Sequence, residues 1–145
     1  MKIRCTLALT VALALAPGAS AQEDAKKEQD RLQGKWQITK MEVENKAFPP
    51  EDLAKLKISI EGNKFITLKD NGEQEKNSFK LDATKKPRRI DVTPLGGPLE
   101  GQTLEGIYAL EGETLKMCLA LPDGARPDAF AAGDMRVFIT LKRVK

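Results

Sequence analysis

Apolar and polar residues alternate along most of this chain in short runs, and glycine-, asparagine- or proline-rich breaks separate the runs. "KWQITKMEV" (35–43) places Trp36 and Ile38 on one face and Met41 and Val43 on the other. The parity therefore slips midway, which predicts a bulge or bend near Thr39-Lys40. "KISIE" and "KFITLK" (57–69) meet at Gly62-Asn63, and "DNG" (70–72) is a hairpin signal because Asn and Gly tolerate positive φ. "EQEKNSFKL" reads as a polar strand, and "RRIDVT" follows with Ile90 and Val92 sharing a face. "TLEGIYALEGETLKMCLAL" (103–121) reads as two strands joined at Glu111-Gly112. "MRVFITLKRV" closes the chain with Val137, Ile139 and Leu141 on one face.

Proline and glycine place the loops at 94–102 and 122–134. Pro49-Pro50 ends the first strand, and "PEDLAKL" predicts one short helix, with proline and acids at its start. About eight short strands at close spacing, nearly all with one polar face, predict an all-β, antiparallel up-and-down barrel. Such closure removes exposed strand edges.

The first residues carry a different signal. Lys2 and Arg4 precede an apolar run of about ten residues, and Ala19-Ser20-Ala21 supplies the small residues a signal peptidase reads. The run is shorter than the roughly 20 residues a membrane span needs. The expected organisation is a signal peptide at 1–21, a charged leader at 22–32 and the barrel domain at 33–145, with export to the periplasm or medium. The leader "EDAKKEQDRL" reads as a solvated helical turn or a disordered segment that stops at Gly34. Cys5 leaves with the signal.

Cleavage changes the charge. The full chain has 24 basic and 21 acidic residues. Losing Lys2 and Arg4 leaves 22 against 21, a net charge of +1. Near-neutrality, few aromatics and export together argue against a nucleic-acid partner.

Cys118 remains as a lone cysteine in an apolar context, read as a small buried hydrophobe. Histidine is absent, which removes the commonest general base and a frequent zinc ligand. No phosphate-binding glycine loop is present, since "GGPLEG" lacks the lysine and following helix. "DNGEQE" lacks EF-hand spacing and reads as a plain hairpin, and "KKPRR" (85–89) as a solvated strand entrance. No enzymatic activity, metal or cofactor is expected. Asp91, opposite in parity to Ile90 and Val92, points outward and has Arg126 of "ARPDAF" as a candidate partner.

Gly34-Lys35-Trp36 on the first strand, after a short helical segment, resembles the lipocalin-type Gly-x-Trp signature. That resemblance implies a tryptophan that plugs the closed end of a barrel, with an arginine of the last strand packed over the indole. Arg143 has the inward parity for that position.

More of the chain is similar to a family of small exported, uncharacterised lipocalin-like domains of planctomycete bacteria. The similarity rests on "LQGKWQITKMEVENKAFP", "IDVTPLGGPLEGQTLEGIYALEGETLKMCLA", "ARPDAF" and "VFITLKR", and Val92 stands where that family usually has leucine. The resemblance implies a fold and a compartment but no activity. The expected function is binding of a small apolar or amphipathic ligand, with Ile38, Phe65, Tyr108, Met117 and Ile139 lining the interior. The alternative is a protein-interaction domain, such as a periplasmic protease inhibitor that uses the leader as its inserting segment.

Overall fold

A computed structural model describes residues 18–145. The charged and apolar parts of the expected signal peptide, with Cys5, lie outside the described residues. The chain forms α1 (Gly18–Leu32), β1 (Gly34–Val43), β2 (Lys46–Ala47), α2 (Pro50–Leu53), β3 (Leu56–Glu61), β4 (Lys64–Lys69), β5 (Gln74–Asp82), β6 (Arg88–Pro94), β7 (Leu104–Glu111), β8 (Thr114–Ala120) and β9 (Arg136–Arg143). From β3 onward each strand pairs antiparallel with the next, and β1 pairs with both β3 and β9. Eight strands thus close a barrel. The two-residue β2 is a small ribbon on the end of β1.

The slip in the apolar parity of β1 is a bulge. Ile38 pairs with Leu141 and Lys40 with Thr140, so Thr39 is the extra residue, and its hydroxyl donates to the Thr140 carbonyl at 3.2 Å. Trp36 and Ile38 on one side of the bulge, and Met41 and Val43 on the other, all turn into the barrel. The "DNG" segment turns β4 into β5. Gly72 sits at φ 87°, and the Asn71 side chain accepts the Glu73 amide at 2.9 Å. Pro50 opens α2, which spans one turn and buries Leu53.

The main core lines the inside of the barrel. It runs from Leu32 and Trp36 at one end through Ile60, Phe79 and Ile90 to Leu104 and Val137. Phe65 and Phe79 stack in a tilted pair with ring centroids 4.4 Å apart. At Gly106 the strands β7 and β8 approach so closely that a Cβ would lie 2.5 Å from the Cys118 carbonyl oxygen. Only glycine fits there.

Two features differ from the sequence expectation. The leader is the carboxyl-terminal part of a 15-residue helix, α1, rather than a solvated turn or disordered segment. Glu28 and Leu32, four residues apart and so on one helical face, are buried against the barrel. In addition, the sheet is not polar throughout its outer side. Ile107, Cys118 and Phe138 form a second, external cluster under Phe130 of the 122–134 loop. That loop supplies the cover that lets three outward-facing apolar residues leave water.

Candidate functional site

The closed end is built where α1 runs into β1. Trp36 is 1% exposed, and its indole Nε1 donates to the Leu32 carbonyl at 2.8 Å. Arg143, the last residue of β9, is directly opposite Trp36 in the ladder, and its guanidinium lies 4.3 Å from the ring centroid. The same guanidinium donates to the carbonyls of Gln33 at 2.7 Å and Arg31 at 2.6 Å. Three carbonyls at the end of α1, which have no helical partner of their own, are therefore satisfied by the indole and the arginine. A cation at a helix carboxyl terminus also complements the dipole. Gly34 has φ 122°, and a Cβ there would lie 3.2 Å from Arg143 Nη1. The glycine of the Gly-x-Trp pattern thus serves both an unusual backbone angle and the passage of the guanidinium.

Behind this pair lies a buried polar group. The Glu28 carboxylate is acceptor for Arg31 Nη1 at 2.8 Å, Arg88 Nη1 at 3.1 Å and the Tyr108 hydroxyl at 3.2 Å. Burial raises the Tyr108 phenol above its ordinary range, and the nearby Glu28 charge raises it further. The folded protein therefore holds Tyr108 neutral where the unfolded chain, with a pKa of about 10, would begin to ionise. Its contribution is complete below about pH 10 and falls as pH rises above that, at up to about 1.4 kcal/mol per pH unit. Tyr108 is the sole tyrosine, so a near-ultraviolet titration reads it alone. Phenolate absorbance is expected to appear only together with alkaline unfolding.

Near the middle of the barrel the core leaves a partly open space. Ile38, Phe65, Met117 and Ile139 converge on an interior cavity of about 140 Å³. Tyr108 does not line it. Although Tyr108 also points inward, beside Met117 in the ladder, its hydroxyl is at the closed end with Glu28. Ile58, Val92 and Leu104 complete much of the apolar wall, and Thr67 and Asn77 are its polar members. Parity identifies both polar residues, because Thr67 shares a face with Phe65 and Asn77 shares one with Phe79. Asn77 and Leu104 also line a larger groove of about 600 Å³ at the opposite end from α1, where Met41, Leu95, Leu99 and Leu121 gather.

Asp91 and Arg126 are on the outer wall. Arg126 Nη2 donates to Asp91 Oδ1 at 2.8 Å, Nη1 donates to the Gly106 carbonyl at 2.9 Å, and Glu105 lies 3.6 Å away. The arginine thereby pins the 122–134 loop to β6 and β7. Its charge is matched by two carboxylates, and its fork is divided between the Asp91 carboxylate and the Gly106 carbonyl.

Three other motifs resolve into structural contacts. In "DNGEQE", Lys69 sits between Glu75 at 2.5 Å and Glu73 at 3.5 Å, and its ammonium is raised chiefly by the hydrogen bond to Glu75. Among the described residues no group of three His, Cys, Asp or Glu side chains has the spacing to hold a metal. In "KKPRR", Arg88 is tied to Glu28 rather than left in solvent. Burial raises the Cys118 thiol, whose Sγ lies 3.5 Å from the Ala131 carbonyl. That places it away from the electropositive, accessible settings that activate a thiolate.

No family model, no curated protein and no solved structure matches this chain.

Proposed function

We propose that this chain is an exported, non-catalytic domain that holds a small, predominantly apolar molecule inside its barrel. The molecule enters from the end opposite α1. The observation that carries this reading is the apolar cavity of about 140 Å³ within an otherwise well-packed core. The space opens toward solvent past the half-buried Thr67 and Asn77, so a ligand seated in it would displace water from an apolar lining and complete its packing. The adjoining groove, walled by Met41, Leu95, Leu99 and Leu121, supplies an apolar approach.

The resemblance to small exported planctomycete domains bears only on the exported part of this reading, and cleavage after Ala21 is part of the same proposal. Cleavage there leaves residues 22–32, with Glu28 and Leu32, attached to the barrel they seal. The alternative, an inserting inhibitory segment, needs a free arm. Here the second half of α1 is occupied by Glu28, Leu32 and the bonds to Arg143.

Thermal melts with toluene tests the proposal. A ligand that binds only the folded state raises the melting temperature progressively with its concentration. The increase is expected for the wild type and is expected to vanish in Val92→Phe, which fills part of the cavity. An equal increase in both proteins would contradict interior binding.

A further inference from the structure

Resting on that reading, we infer that the ligand is a neutral molecule with a single small ring or short branched chain and one hydrogen-bonding group, held by Asn77 and Thr67. The size limit comes first. An apolar cavity of about 150 Å³ accepts one benzene-sized molecule, and this one is about 140 Å³. Sites for drug-sized ligands run from about 300 to 1,000 Å³. A long acyl chain does not fit the interior, and any bulkier part of the ligand would emerge past Asn77 into the groove.

The polar positions set the chemistry. Thr67 and Asn77 line the cavity from adjacent strands, and both are half-buried. Among the described residues neither side chain bonds another protein group, whereas every fully buried side-chain polar atom has a partner. A hydroxyl and a carboxamide facing an apolar space offer a donor and an acceptor to a neutral hydroxyl or amide. Asn77 lies where cavity and groove meet, so it meets the polar end of a ligand whose ring is already inside.

Charge decides against a carboxylate. The cavity lining contains no cation. Lys69, on the same strand face as Phe65 and Thr67, is matched to Glu75 and Glu73. Lys76 at the groove is exposed on the other face of its strand. Bringing an unpaired carboxylate to the level of Asn77 would carry a desolvation cost with no cation in the lining to offset it.

A matched panel of toluene, benzyl alcohol and benzoate, titrated by calorimetry into wild type, Asn77→Leu and Thr67→Val, tests the inference. Benzyl alcohol is expected to bind the wild type about three- to tenfold more tightly than toluene, the value of one or two neutral hydrogen bonds. Asn77→Leu is expected to reverse that order, Thr67→Val to narrow the gap, and benzoate to bind weakest throughout. Circular dichroism checks that each variant is folded, and either variant alone suffices. If toluene and benzyl alcohol bind equally and neither variant changes the ratio, the assignment of Asn77 and Thr67 is overturned while interior binding survives. If benzoate binds best, the neutral-ligand assignment is overturned. If no member of the panel binds the wild type, interior binding itself falls.

Discussion

Replacing Trp36 with alanine is expected to remove about 3–5 kcal/mol of folding stability, the range for deleting a large buried aromatic. The side chain is 1% exposed, packs where α1 meets β1, and contributes the donor that satisfies the Leu32 carbonyl. It also carries the Arg143 guanidinium on its face at 4.3 Å. Without the ring, the guanidinium retains its carbonyls but loses the surface that shields it from water. Urea unfolding followed by circular dichroism reads the change, and a loss below about 1 kcal/mol would show that Trp36 is not a plug of the closed end. The Arg143 share is isolated with Trp36→Phe, Arg143→Met and the double variant. Residues in contact couple by about 0.5–3 kcal/mol in such a cycle, and strict additivity would contradict the stacked geometry.

Glu28→Ala is expected to cost about 2–3 kcal/mol. The larger part is the Tyr108 hydroxyl, which would stay buried with no acceptor, at about 1–3 kcal/mol. The smaller part is the ion pairs. The Arg31 and Arg88 side chains are 53% and 42% exposed, so water screens them and each pair is worth at most about 1 kcal/mol. Glu28→Gln keeps an acceptor for the phenol and is expected to recover most of the loss. The discriminating readout is amide exchange in residues 23–32. Faster exchange there, with the barrel strands unaffected, marks undocking of α1. A uniform loss of protection across the barrel, or none, would contradict the role of Glu28 as the anchor of that helix.

The barrel was legible because the information for each strand is local. Alternation sets its face, glycine and asparagine set its turns, and a parity slip of one residue between Ile38 and Met41 reveals the bulge. The docking of α1 was not legible for the opposite reason. Glu28 looks like one charge among many in "EDAKKEQDRL", and its partners Arg88 and Tyr108 are 60 and 80 residues away.

Within the interior, parity finds which residues point inward but not how deep each lies, because depth depends on the stagger of strands around the barrel. Ile38, Phe65, Met117 and Ile139 fall at the level of the cavity, whereas Tyr108, with the same inward parity, reaches the closed end. Thr67 and Asn77 are inward by the same rule, and their polarity hides them from a search for apolar lining. The external cluster depends on Phe130, which sits in a loop whose path no periodicity describes.

Methyl-resolved NMR of the folded chain titrated with benzyl alcohol tests interior binding most directly. The barrel also carries an outer-wall groove of about 780 Å³, where Ile66, Leu68 and Val144 lie among Lys35, Lys57 and Lys76. Binding inside predicts saturable shifts at the methyls of Ile38, Met117 and Ile139 with Leu68 and Val144 unmoved. Shifts confined to Ile66, Leu68 and Val144, with the interior methyls unchanged, would contradict it.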